Sequence, residues 1–129
     1  MIEIAEAKYI VDQINHHLIE RTITKVEVMN TPHRFAWLNE NATDYENRLC
    51  NQRIKKAKQN GSMVRILMGN DVELVFSEDV YFAYLKADLG TTKNQLALNF
   101  DNDMRLEVRT KLYGFLMIGK EAGLKISNP

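Results

Sequence analysis

A single cysteine in 129 residues, Cys50, excludes an internal disulfide and leaves too few thiols for a four-cysteine zinc site. A reducing compartment is the natural expectation, and no metal or other cofactor is expected within this chain. No apolar run approaches the roughly 18 residues that a membrane span needs, and no signal peptide precedes the first helical pattern. The expectation is a soluble, cytoplasmic domain with no membrane partner. Charge of either sign is not in excess: 17 Lys and Arg balance 17 Asp and Glu. No global field therefore draws in nucleic acid, and any such surface has to be local. Glycine-rich phosphate loops, Ser-His-Asp arrangements, internal repeats and low-complexity segments are also missing.

The chain does have enough apolar material, 45% of its residues, for one globular domain that buries roughly two-thirds of its unfolded surface. Its first 29 residues carry two periods. Ala7, Ile10, Ile14 and Leu18 recur at spacings of three and four, which places them on one face of a helix. From Thr22 the period becomes two, so that Thr24, Val26 and Val28 face one way and Ile23, Lys25 and Glu27 the other.

Beyond an Asn30-Thr31-Pro32 turn, residues 33–38 read as a short strand. Thr43-Asp44-Tyr45-Glu46 has the spacing of a capping box, and a short helix is predicted through Leu49. Strands follow over 53–59 and 63–68, joined by an Asn60-Gly61 turn, then over 72–76 and 80–86. Residues 88–94 form the longest loop, expected to be mobile. Leu96, Leu98 and Phe100 alternate inward, Leu106 and Val108 repeat the pattern in a partner strand, and a last strand is predicted over 112–118. The fold class is mainly β with flanking helices (α+β): a two-sheet antiparallel β-sandwich with a long amino-terminal helix.

The local basic surface is Arg53, Lys55, Lys56 and Lys58. With Arg53, Lys55 and Gln59 on one strand face, these side chains could contact successive phosphates. Their structural reading is edge protection, since lysines keep an exposed strand from pairing with another chain. Met29, Met63, Met68, Met104 and Met117 read as core filler. His16 and His17 point about 100° apart on a helix and cannot both face one ion, so with His33 they read as solvated and not as a metal site.

Several segments together resemble the formamidopyrimidine-DNA glycosylase and endonuclease VIII family. Where family members read Gly-Lys-Thr-Ile-Thr-Lys-Val-Glu-Val, this chain has Glu20-Arg21-Thr22-Ile23-Thr24-Lys25-Val26-Glu27-Val28. Asn47-Arg48-Leu49-Cys50-Asn51-Gln52-Arg53-Ile54 is similar to the family's helix end and next strand, Lys55-Lys56-Ala57-Lys58 to its basic segment, and Tyr113-Gly114 falls at its Phe-Gly. The usual opening, Met-Pro-Glu-Leu-Pro-Glu-Val, is matched at Glu3 and Glu6, but Ile2 and Ala5 replace the prolines.

The resemblance implies a glycosylase and lyase chemistry in which a neutral amino-terminal proline attacks the damaged nucleotide's sugar and a glutamate manages protons. An α-amino group suits this, titrating near about 7.7 to 8.0. Here a bulky Ile2 is expected to retain Met1, so the degenerate catalytic set is Met1, Glu3 and Glu6. Their structural reading is an acidic first helical turn. Lys58 matches the family's phosphate-binding lysine. Register places Asp79 where the family inserts a methionine into the gap left by an everted base, with Lys111, Leu112 and Tyr113 at the companion loop. Tyr113 reads equally as a strand aromatic.

The expected DNA-binding set is thus Arg53, Lys55, Lys56, Lys58, Lys111 and Tyr113, with DNA as a weak, non-specific partner and the chemistry impaired. The alternative is a non-catalytic protein-interaction module on the same scaffold. The family's helix-two-turn-helix and zinc-finger domains are not in this sequence, which is either a lone amino-terminal domain or one that stops before a linker. Zinc enters only with a carboxy-terminal finger of a longer protein. The residues do not specify an oligomeric state.

Overall fold

The computed structural model describes residues 4–29, 36–38, 42–76, 80–110 and 114–120. The helical period of the first segment is realised as α1, Ile4–His17. Its buried stripe is Ala7, Val11, Ile14 and Leu18, with Ile10 half-buried at the rim. The stripe runs at spacings of four, three and four, so Val11 takes the central place expected for Ile10. Glu20, at φ 67°, turns the chain into β1, Ile23–Val28.

Strict alternation does not survive in β1. Ile23 and Val26 are both buried, three residues apart, while Thr24 and Lys25 between them are exposed. The strand accommodates this by a register shift against its partner between Ile23 and Lys25. An extra residue in a bulge lets two apolar side chains at odd separation reach the same core.

The remaining elements are β2 Ala36–Leu38, α2 Ala42–Leu49, β3 Ile54–Asn60, β4 Met63–Met68, β5 Val72–Phe76, β6 Val80–Lys86, a 3₁₀ turn Ala87–Leu89, β7 Leu96–Phe100, β8 Met104–Thr110 and β9 Gly114–Lys120. They form two sheets, ordered β1-β7-β8-β6 and β2-β9-β5-β4-β3, in which every pair is antiparallel except β2 with β9. The core lies between the sheets. Leu96, Leu98, Phe100, Leu106 and Val108 from one meet Ile54, Val64, Ile66, Met68, Leu74 and Phe76 from the other. Each such side chain gains about 1.5–3 kcal/mol on burial, which fixes the registers because a one-residue slip would expose them all. Tyr45 and Leu49 of α2, both fully buried, close the same core beside β1.

Several boundaries differ from the sequence expectation. The second helix starts at Ala42, so Thr43 lies inside it and does not cap it. The two central residues of the β3–β4 hairpin are Gly61 and Ser62, with the positive φ of 58° on Gly61. Of the methionines, Met68 is fully buried in the core, whereas Met29, Met63 and Met104 are half-buried. His33 and residues 112–113 lie outside the described residues, and the last strand extends to Lys120. His16 and His17 are exposed at the end of α1, where His17 stacks on Tyr84 at 5.7 Å.

Candidate nucleic-acid interface

β3 repeats the device of β1. Ile54 and Ala57 are buried, three residues apart, and the register against β4 shifts between Ile54 and Lys56. Lys55 is the extra residue, and Lys55 and Lys56 are both exposed. Without the bulge, alternation from Ile54 would turn Lys56 into the core. The expected face of Arg53, Lys55 and Gln59 is therefore replaced by an adjacent pair, Lys55 and Lys56. Lys58 is half-buried opposite Arg65, and the Gln59 amide donates to the Gly61 carbonyl at 2.8 Å.

β3 is the last strand of its sheet, but its outer edge is covered from Arg53 to Ala57. The Asn15 side chain on α1 donates to the Ala57 carbonyl at 3.1 Å and accepts from the Ala57 amide at 2.8 Å. Further back, Glu20 N–H donates to the Ile54 carbonyl and Ile54 N–H to the Arg21 carbonyl, while Thr22 bridges Arg53. An edge covered in this way needs no lysines to repel a passing strand. The Arg53 guanidinium lies 3.3 Å from the Glu20 carboxylate, with both side chains about two-thirds exposed. Such a pair contributes about 0–1 kcal/mol and leaves the arginine available to another anion.

Alternation along β4 and β5 turns Arg65, Leu67, Glu73 and Val75 away from the sandwich core, yet Leu67, Glu73 and Val75 are buried. The Arg65 guanidinium pairs with the Glu73 carboxylate, which has no exposure at all. Arg65 Nε and Glu73 Oε2 have no hydrogen-bond partner among the described residues. Arg65 thus has its charge offset by Glu73, and among the described residues the positive charge of this face comes from β3.

Of the other expected site residues, Glu6 is exposed in the first turn of α1, where a carboxylate favours the unpaired amides. Met1, Glu3, Asp79, Lys111 and Tyr113 lie outside the described residues. Among the described residues, the structure brings together Arg53, Lys55, Lys56 and Lys58 of the expected set. No group of three or more His, Cys, Asp or Glu able to hold a metal ion occurs among the described residues, and Cys50 is half-buried with its thiol donating to the Thr24 carbonyl.

The sequence reading missed a second charged cluster, on the outer face of the other sheet. Arg105 donates from Nη1 to Glu27 at 2.5 Å, from Nε to Glu107 at 2.7 Å and from Nη2 to the Thr91 carbonyl at 3.0 Å. Glu107 accepts in turn from the Thr91 amide at 2.7 Å and the Thr91 hydroxyl at 2.9 Å. Burial alone would raise the Glu107 carboxyl, but the Thr91 amide and Arg105 outweigh it and hold its pKa below the usual 4.5. Arg105 is likewise raised, its two carboxylate partners outweighing burial. The cluster anchors the middle of the 88–94 stretch, expected to be mobile, to β8. Its sequence signal was the alternation of Arg105 and Glu107 with the inward Leu106 and Val108.

A sequence model of the formamidopyrimidine-DNA glycosylase N-terminal domain matches residues 1–106. No curated protein matches the chain. Among solved structures, the fold is shared with a complex of Lactococcus lactis FPG (MutM) with FAPY-dG-containing DNA, at 14% identity and a TM-score of 0.80 over 93% of this chain and 45% of that one. A complex of the Lactococcus lactis Fpg with abasic-site DNA gives the same identity, coverage and score. MutM bound to DNA containing carbocyclic 8-oxo-G gives 15% identity and a TM-score of 0.79, again over 93% and 45%. The chain spans less than half the length of these structures.

Proposed function

The chain belongs to the formamidopyrimidine-DNA glycosylase N-terminal domain family, and from that premise we propose that it binds duplex DNA weakly, through residues 53–58, without preference for sequence or lesion. The observation that carries this reading is the bulge in β3, which holds Lys55 and Lys56 side by side in solvent on an edge that already has its backbone bonds. Two adjacent ammonium groups, with Arg53 and Lys58 before and after them, suit the regular spacing of phosphates and read no base edge. The DNA complexes among the fold's neighbours support DNA as the polymer. With zero formal net charge, the attraction is local and modest. Such a domain works where DNA is, inside the cell; no described helix is long and apolar enough to cross a membrane.

The family's base-excision chemistry is impaired in this domain. Ile2 stands where the resembling sequences have the nucleophilic proline, and Asp79 where they have the inserted methionine. An aspartate repels phosphate and fills no hole in a base stack. Borohydride trapping on abasic-site and 8-oxoguanine duplexes tests the chemistry: no covalent adduct is expected. An adduct mapped to the Met1 amine or to Lys58 would restore the lyase reading. For binding, a K55A/K56A variant should lose most of the low-salt anisotropy signal, whereas a wild-type chain that does not bind at low salt would favour a protein-interaction module.

A further inference from the structure

The two seven-residue edge strands of the molecule are treated differently. β3 is closed by Asn15 and the 20–22 segment. β1 is covered in part, since Asn51 donates to the Ile23 carbonyl at 2.7 Å and Ile23 to the Gln52 carbonyl at 2.8 Å, and β2 has three residues. β6 pairs with β8 alone among the described strands, in a register unbroken from Val80–Thr110 to Lys86–Met104. Edge strands normally carry a proline, a central charge, a bulge or a cover. β6, Val80-Tyr81-Phe82-Ala83-Tyr84-Leu85-Lys86, carries no proline, central charge or bulge and has no cover among the described residues, its one charge being Lys86 at the last position, and it exposes Tyr81 by 48% and Tyr84 by 37%.

We propose that β6 is a self-association surface, through which two copies of this chain join antiparallel about a two-fold axis at Ala83. The order of side chains argues for a second copy over an unrelated strand. About Ala83 the strand is close to palindromic in size: Phe82 of one copy meets Tyr84 of the other, Tyr81 meets Leu85, and Val80 meets the stem of Lys86. An isologous contact requires this self-complementarity, and aromatic and aliphatic cross-strand pairs are the favourable ones. The pairing joins two four-stranded sheets into one of eight. It places Phe82 and Tyr84 of each copy on the side of its partner's groove, about 240 Å³, between α1 and β6, lined by Tyr9, Ile10, Gln13, His17, Phe82 and Tyr84. Zero formal net charge leaves no long-range repulsion between copies. The basic segment of β3 is on the other sheet, so association does not require DNA.

Sedimentation of the full chain from micromolar to millimolar concentration tests this. A monomer–dimer equilibrium is expected, weakened by at least about tenfold in A83K and in A83E alone, because each sets like charges directly opposite across the axis. Mixing the two variants should restore it. A wild-type chain that stays monomeric throughout, or variants that dimerise as the wild type does, would overturn the proposal. Should the charged variants not fold, hydrogen exchange of the wild type decides: β6 amides should gain protection as concentration rises, and dimerisation without that gain would also overturn it.

Discussion

The outer faces of the two sheets carry ion pairs of opposite completeness. On the four-stranded sheet, Arg105 distributes its donors over Glu27, Glu107 and the Thr91 carbonyl, and Glu107 takes both Thr91 donors. On the five-stranded sheet, Arg65 and Glu73 pair just as deeply but leave Nε and Oε2 unmet among the described residues. A complete network rigidifies what it touches, here a loop, whereas an incomplete one is costly to bury and adds little stability of its own. The first face reads as structural. The second, next to which the lysines of β3 stand, is the face that the proposed DNA binding uses.

The first face is most vulnerable at Arg105. Replacing it with leucine takes the guanidinium from the Glu27 and Glu107 carboxylates and the Thr91 carbonyl, leaving Glu107 with its Thr91 donors, and should cost about 3–5 kcal/mol in urea unfolding. The Arg65→Met, Glu73→Leu double variant should behave in the opposite way, being neutral or more stable by up to about 4 kcal/mol, because both unmet atoms disappear with the pair. A loss there comparable to that at Arg105 would show that the second pair is complete after all.

A smaller effect sharpens the same contrast at Gly90. A Cβ built there would lie 2.7 Å from Arg105 Nε, 2.8 Å from its Cδ and 3.1 Å from the Ala87 carbonyl. Arg105 is held by several partners and cannot swing away, so Gly90→Ala should cost about 1–3 kcal/mol. The change leaves φ, at −62°, undisturbed. Equal melting temperatures for wild type and variant would mean that the guanidinium is looser than its bonds imply.

Acid should act on the first face through Glu107. Its carboxyl is held below the ordinary value of 4.5, so its contribution is fully present above that pH and is lost as pH falls through the lower folded value. Unfolding free energy should thus decline below pH 4.5. A Glu107→Gln chain, less stable at neutral pH, should lack that part of the decline.

Much of this was legible in the residues. Leu96, Leu98 and Phe100, and Leu106 with Val108, announce two half-buried strands by alternation alone, and the switch from helical to strand period at Thr22 marks the first turn of the fold. The bulges were legible only in hindsight. Ile23 with Val26 and Ile54 with Ala57 are apolar pairs three apart inside strands, and strict alternation misassigns one member of each. That error also put Lys56 on the wrong face. The Asn15 contact with Ala57 spans 42 residues and leaves no local trace, so edge protection could not be dismissed from sequence. Arg105, Glu27 and Glu107 looked like ordinary outward polar positions, because only strand order brings Glu27 to the other two.

The central claim, that the lysines of β3 serve nucleic acid, is tested most directly by the salt dependence of duplex binding. If Arg53, Lys55, Lys56 and Lys58 each neutralise one phosphate, log affinity should fall with log salt at a slope near about −3.6, from about 0.9 per contact. Fluorescence anisotropy on matched intact and abasic duplexes should give the same slope and affinity for both, and K55A/K56A should shrink the slope by up to about two units. A marked preference for the abasic duplex, or a slope unchanged in K55A/K56A, would contradict the account.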